Sequence, residues 1–325
     1  MKKRVAVIYG GRSGEHEVSL RSAKSIIDAM DTEKYKVLHY LISKEGKWSP
    51  RALVPEPNGN AGIDVVFPVL HGTFGEDGTL QGLLELADLP YVGAGVLASA
   101  ASMDKEVMKR LAKERGLPVV EYQVFSSREL TGQEACPTFE FPVFVKPANL
   151  GSSVGISKVH NCVELKAALE LAASFDRKVI VERGIVGREF ECSVLGNEDP
   201  IAAVPCEILP SKDFYDYDDK YLLEKAETVI PANLSPEQTA ELQGLAVKCY
   251  QAVECEGMAR VDFLLETATN RLYINEINTI PGFTSISMYP KMWEYSGLPM
   301  PKLVDRLIEL ALERHAAKQH LRYSK

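Results

Sequence analysis

Short apolar runs alternate with helix-period runs through the first part of the chain, and this alternation limits the folds open to it. Val5–Tyr9 is a β-rich run ended by Gly10-Gly11. A helical pattern follows, with Val18, Ala23, Ile26, Ile27 and Met30 on one face. Val37–Ile42 and Val65–Leu70 read as further buried strands, and Pro90–Gly95 as another short one. Parallel strands need a crossover between them, usually a helix, so this order predicts a parallel α/β sheet. It gives a first domain over residues 1–102, close to the usual size of about 100 residues.

The pattern then changes. Residues 104–116 have helical character and stop at Gly116-Leu117-Pro118. Phe141–Pro147 reads as a strand running into the small-residue loop 149–155, followed by a helix at Val163–Ala173 and a strand at Val179–Glu182. This predicts a second, α+β unit over residues 103–190. A third unit, 191–325, opens near the strand Glu189–Leu195. It holds a helix at 236–255, strands at Met258–Leu265 and Leu272–Asn278 around the polar turn 266–270, and a closing helix at 302–317. Residues 212–225 have neither period, yet carry Phe214, Tyr215, Tyr217 and Tyr221 among many charges. A long loop of this kind is usually functional or disordered, and its aromatics argue against disorder.

A length of 325 residues suits two or three domains. The formal charge of -8 leaves no overall basic field, which excludes nucleic acid as the expected partner. An anionic substrate must then be met by local lysines, arginines and backbone N–H groups. The six cysteines include no Cys-x-x-Cys pair, a pattern of buried thiols in a reducing compartment. The basic start Met-Lys-Lys-Arg resembles a signal peptide, but its apolar run is short and broken by 10–17. No apolar run approaches the ~20 residues that span a bilayer. The expectation is a cytoplasmic protein without a membrane partner.

The chemistry concentrates in the two strands near the C-terminus. Side chains alternate along a strand, so Arg260 and Asp262 share one face of their strand, and Glu276 and Asn278 likewise share a face of theirs, along with Ile274. A short turn predicts that the strands pair as a hairpin, gathering an Arg, two acids and an Asn. Spacing alone leaves two readings open: a solvated ion-pair face, or oxygen ligands for magnesium, which takes one or two carboxylates plus phosphate oxygens.

Three loops add weaker signals. Phe144-Val145-Lys146-Pro147 leads into Asn149-Leu150-Gly151-Ser152-Ser153-Val154-Gly155, where backbone N–H groups and Lys146 can meet phosphate, although a Gly/Ser loop alone is more often an ordinary turn. No Gly-Lys-Ser/Thr occurs, so this is not a Walker loop. Gly10–Glu17 lacks the first glycine of a dinucleotide fingerprint, since Tyr9 stands there. Glu15 at a helix start either complements the helix dipole or presents a carboxylate to an ammonium group at the strand-end crevice. His71 opens a loop at the same crevice; such a histidine is more often structural than catalytic.

Taken in order, the motifs Gly11-Arg12-Ser13-Gly14-Glu15-His16-Glu17-Val18-Ser19, His71-Gly72-Thr73-Phe74-Gly75-Glu76-Asp77-Gly78, Arg260-Val261-Asp262-Phe263 and Glu276-Ile277-Asn278-Thr279-Ile280-Pro281-Gly282-Phe283-Thr284 resemble the D-alanine–D-alanine ligases of the ATP-grasp superfamily. The likeness runs from Val5 to about Ala311. It implies an ATP-grasp fold of mixed α/β and α+β class behind an N-terminal Rossmann-like (pre-ATP-grasp) domain. It implies ATP-driven joining of two D-alanines through a D-alanyl phosphate, for peptidoglycan precursor synthesis. The implied cofactors are ATP, two Mg²⁺ (or Mn²⁺) and a monovalent cation; the implied assembly is a homodimer.

The resemblance also implies roles by position. Asp262, Glu276 and Asn278 would bind the metals. Lys105, Lys146 and Lys220 would contact ATP phosphates, with Ser153 closing the loop over them. Glu182, Glu189 and the backbone of Ile185 would hold the adenosine. Arg260 and the Gly282 N–H would stabilise the oxyanion, where one donor is worth about 3–4 kcal/mol. Glu15 would take the ammonium of the first D-alanine. Ser152 and Tyr221 would bond to it and latch the loop 212–225. His71, Ser287 and the backbone of Met288 would bind substrate, Ser287 and Met288 at the second carboxylate. Arg183-Gly184 departs from relatives that carry a bulky residue beside the adenine. D-alanine–D-serine ligases use the same fold, and a small pocket discriminates weakly against an added hydroxyl. The loop tyrosine favours an amine over D-lactate as nucleophile.

Overall fold

The computed structural model describes residues 2–128, 136–209 and 227–322, and these build three sheets. The first holds β1 (Lys3–Gly10), β2 (Tyr35–Ile42), β3 (Trp48–Ser49) and β4 (Val65–Val69) in the order β3-β2-β1-β4. α1 (His16–Ala29) joins β1 to β2. β1 pairs in parallel with both β2 and β4, so it is buried on both faces, which is why Val5 to Ile8 are all apolar. α2 (Thr79–Leu86) and α3 (Val96–Met103) complete this part. The strand expected at 90–95 reduces to one parallel bridge, Tyr91 with Val66.

α4 (Lys105–Glu114) leads to the second sheet and is capped by Asp104, whose side chain accepts from the N–H groups of Glu106 and Val107. That sheet comprises β5 (Tyr122–Ser126), β6 (Val143–Pro147), β7 (Ser157–Val159) and β8 (Lys178–Arg183), all antiparallel, in the order β5-β8-β6-β7. α5 (Cys162–Ala173) buries Leu165, Ala168, Leu169 and Ala172 against its apolar residues.

The third sheet contains β9 (Gly187–Gly196), β10 (Ile201–Ala202), β11 (Cys206–Leu209) and β12 (Glu227–Val229). After α6 (Pro236–Ala252), which opens with a Ser235/Gln238 capping box and Pro236, come β13 (Gly257–Glu266) and β14 (Arg271–Asn278). The order is β12-β11-β9-β13-β14, with β10 on β9. α7 (Met288–Tyr295) and α8 (Met300–Lys318) close the described chain. Leu303, Val304, Leu307 and Ile308 of α8 join one core with Val5, Val7 and Phe67 of the first sheet. Among the described residues no helix is long and apolar enough to cross a membrane.

Candidate functional site

β1 and β4 are neighbours and parallel, so the loops leaving their C-terminal ends lie side by side. These loops carry Glu15 and His71. The third sheet brings β13 and β14 together as the expected hairpin, with Arg260 opposite Asn278 and Asp262 opposite Glu276. Between these parts is a cavity of about 330 Å³. Glu15, His71, Lys105, Ser152, Arg260 and Glu276 line it, as do Asn278, Gly282, Ser287 and Met288. All three sheet regions thus contribute to one wall.

One expectation for the hairpin fails. Ile274 does not share a face with Glu276. A bulge shifts the register after Asp262, so that Phe263 faces Ile274 and Asn275 is the extra residue. The extra residue interrupts the alternation. Ile274 enters the core with Ile277, while Glu276 and Asn278 face the cavity.

Glu15 occupies the N-cap position of α1, but its side chain makes no cap bond. It accepts instead from the hydroxyl of Ser152, in the loop after β6. Ser152 and Ser153 both hold left-handed backbone, at φ 54° and 58°. The dipole reading of Glu15 therefore explains less than its contact across the cavity. Beside it, Glu76 accepts from the N–H of Gly72 at 2.5 Å. Loss of solvent pushes the Glu76 carboxyl well above the usual range, and the Glu15 carboxylate adds to the rise.

His71 spends both ring nitrogens on the protein. Nδ1 is 3.0 Å from the Ile280 carbonyl, so it carries the proton and donates. Nε2, 3.1 Å from Ser22 Oγ, is then the acceptor. Ser22 Oγ in turn accepts from the N–H of Phe283 at 3.2 Å. Burial pushes the imidazole pKa down, in keeping with this neutral form. His71 touches the cavity but chiefly fastens residues 280–283 to the first sheet.

Gly282 sits close to Ser287: a Cβ there would stand 2.7 Å from Ser287 Oγ and would displace that hydroxyl. That hydroxyl also lies 3.0 Å from the Thr284 N–H, which donates to it, and makes no cap bond to α7. Gly184 has a local cause as well. Its N–H donates to the Pro142 carbonyl at 2.9 Å, and a Cβ would meet that oxygen at 2.4 Å.

The cations are paired. Lys105 Nζ donates to the Leu150 carbonyl at 2.7 Å and stands 3.6 Å from Glu276 Oε2. Lys146 donates to Glu182 at 2.6 Å, and Lys109 forms an ion pair with the other oxygen of Glu182 at 3.0 Å. Burial alone would raise the Glu182 carboxyl, but the two lysines outweigh it and hold it at about 2. Ile185 lies in the connection from β8 to β9, and Glu189 on β9, where the second sheet passes into the third. Lys220, Tyr221 and the loop 212–225 lie outside the described residues.

Arg260 donates from Nε and Nη2 to the two oxygens of Asp262, each at 2.7 Å, and its Nε is 3.2 Å from Glu191. These acids raise its pKa well above the ordinary value although burial opposes them. Arg260 therefore grips Asp262 directly while bordering the cavity. Among the described residues no three of His, Cys, Asp or Glu converge as a closed metal cage. An open set suits magnesium, which keeps phosphate oxygens among its ligands. Asn278 Oδ1 is buried without a hydrogen-bond partner, beside the facing carboxylates Asp262 and Glu276. A hard divalent cation fits these oxygens.

Sequence reasoning missed Glu76, Lys109 and Glu191. Lys109 is one helical turn from Lys105, and Glu191 two residues from Glu189 on a strand; both spacings put like residues on one face.

Comparison with known proteins gives one consistent family. The models described as D-ala D-ala ligase N-terminus and D-ala D-ala ligase C-terminus match residues 4–57 with 50–94, and 111–309, respectively. A protein from Solibacter usitatus named D-alanine–D-alanine ligase is 68% identical over 325 residues, covering 100% of both chains. The structure of the D-alanine-D-alanine ligase from Coxiella burnetii is 39% identical with a TM-score of 0.86, covering 98% of this chain and 96% of that one. The VanG D-Ala:D-Ser ligase from Enterococcus faecalis is 37% identical with a TM-score of 0.87, covering 96% of this chain and 100% of that one.

Proposed function

Since this chain belongs to the D-alanine–D-alanine ligase family, we propose that it joins two D-alanines into D-alanyl-D-alanine while converting ATP to ADP and phosphate. The observation that carries this reading is the shared cavity. It brings Glu15 and Ser152 to the same cavity as Arg260, Glu276 and Gly282. A carboxylate for an ammonium group and two donors for a carbonyl, one cationic and one a backbone N–H, thus border one small volume.

In the first step the carboxylate oxygen of one D-alanine attacks the γ-phosphorus and ADP leaves. In the second, the amine of the other D-alanine loses a proton, attacks the acyl carbon and expels phosphate. Glu15 holds the first ammonium, and the Ser152 hydroxyl keeps that carboxylate aimed; Tyr221 has the same role by its place in the family motif. Arg260 and the Gly282 N–H receive the negative charge that grows on the carbonyl oxygen. Ser287 and the backbone of Met288 hold the second carboxylate, with His71 fixing the segment that carries Gly282. Lys105, Lys146 and Lys220 neutralise ATP phosphates under Ser153. Glu182, Ile185 and Glu189 form the nucleoside end. Asp262, Glu276 and Asn278 would hold two Mg²⁺ (or Mn²⁺), which when bound offset the charge of the transferring phosphoryl group. Exclusion of water protects the acyl phosphate.

We read the protein as a cytoplasmic homodimer serving cell-wall precursor synthesis, with a monovalent cation as a further cofactor. The test is phosphate release with ATP, magnesium and D-alanine, and detection of the dipeptide by mass. A folded preparation that releases no dipeptide overturns the reading. The likeness to a D-Ala:D-Ser ligase supports a second reading, D-serine as nucleophile. Competition between the two amines separates them; D-alanyl-D-alanine as the main product is the expected outcome.

A further inference from the structure

Arg260 has two carboxylate partners. Both oxygens of Asp262 accept from it at 2.7 Å, and Glu191 Oε2 lies 3.2 Å from Nε. Glu191 is directly opposite Asp262 in the β9–β13 ladder, so the two acids approach the guanidinium from adjacent strands. Glu191 is buried and also borders the cavity.

This creates a conflict at Asp262. Arg260 takes one lone pair on each Asp262 oxygen, and so competes for the charge that the proposed metal role of Asp262 needs. A second carboxylate on the guanidinium relieves the conflict, because Arg260 keeps a charged partner when Asp262 turns to a cation. The charge balance points the same way. Glu191 adds a negative charge beside Asp262 and Glu276, which Arg260 and Lys105 contact. Without Glu191 one negative charge is lost next to these acids, and their pull on a divalent cation weakens.

We propose that Glu191 is a positioning residue that holds Arg260 and adds its negative charge to the cluster, so that Asp262 and Glu276 are available to a divalent cation. The inference rests on the metal reading given under the proposed function. Its test is titration of the protein with Mn²⁺ in the presence of ADP, followed by electron paramagnetic resonance, in parallel with the magnesium dependence of turnover. Glu191→Gln is expected to weaken Mn²⁺ binding about tenfold, the lower end for loss of a residue behind a metal ligand. Its loss of turnover is relieved as magnesium is raised, whereas a merely structural defect persists at every concentration. Glu191→Asp, which keeps the charge, binds Mn²⁺ more tightly than Glu191→Gln; if the glutamine variant does not fold, Glu191→Ala takes its place with the same expected loss. Unchanged Mn²⁺ affinity in a folded Glu191→Gln protein, or a turnover loss that magnesium does not relieve, overturns the proposal. Asp262→Asn separates the two layers. If it binds Mn²⁺ like wild type, the metal reading itself fails. If it loses Mn²⁺ while Glu191→Gln keeps it, only the role of Glu191 fails.

Discussion

Glu76 shows what a single side chain costs at this cavity. Its carboxyl titrates well above the ordinary range because it has lost solvent and faces Glu15. The folded state therefore holds this proton more tightly than the unfolded chain does. The resulting stability is complete below the unfolded value near 4.5 and is lost as pH rises through the folded value. Glu76→Gln keeps the shape and an acceptor for the Gly72 N–H but cannot ionise. It should gain on the order of 1 kcal/mol at pH 7, at the expense of turnover. The gain should vanish near pH 4, where wild-type Glu76 is also protonated; thermal melts at both pH values measure it. An equal gain at both would remove the electrostatic explanation. Glu276 should behave in the opposite way: Glu276→Ala abolishes dipeptide formation and leaves melting near the wild-type value. Sequence displayed Glu76 inside a motif but hid its titration, which depends on Glu15 from a distant loop. It exposed Glu276 because an acid beside an Asn stood out in an apolar strand.

At the scale of elements, period was legible wherever an element is long. β1, α4, α5 and β13 fall within a few residues of where the apolar pattern puts them. The two-residue strands β3 and β10 are too short to show a period, and α7 carries Pro290 in its first turn, which masks a helix. The bulge in β14 was hidden for a different reason. The adjacent polar residues Asn275 and Glu276 between Ile274 and Ile277 break strict alternation without showing which residue is extra; partners from other elements hold Asn275 out of the ladder. Lys109 donates to its carbonyl at 3.1 Å, and Lys146 lies 3.4 Å from its Oδ1. Both lysines also grip Glu182. Lys109→Met removes one partner of a buried carboxylate, a change that costs about 3–5 kcal/mol in such settings. Urea unfolding at pH 7 should register it, and adding Glu182→Gln should recover part of the loss. Glu182 is depressed to about 2, so its stabilisation is present above the unfolded value near 4.5 and fades as pH falls toward 2. The penalty of Lys109→Met should shrink over that window. A penalty independent of pH would mean that packing, not charge, explains Lys109.

Over the whole molecule, the order of motifs identified the family, but it could not show how the parts are sewn together. The joints are single contacts between distant segments. Ser152 meets Glu15, His71 holds Ile280, Ser22 receives Phe283, and Lys109 reaches Asn275. Each belongs to a residue type with many alternative uses, so no local pattern announces it. The same joints explain how a protein of net charge -8 offers a place to an anion. Its cations Lys105, Lys146 and Arg260 are held by carboxylates or carbonyls instead of forming a basic surface. A ligand that touches all three sheet regions must then stabilise the assembled form over any state in which they separate. Nucleotide with magnesium at about 100 times its dissociation constant adds about 2.7 kcal/mol to unfolding. Spread over 325 residues at about 2.1 cal/mol/K each, this is roughly a 4 °C rise in melting temperature. A chelator should reverse most of the rise, because ATP then meets the acids Asp262 and Glu276 without an intervening cation. An ATP shift of the same size with and without magnesium would count against the metal's place between nucleotide and protein.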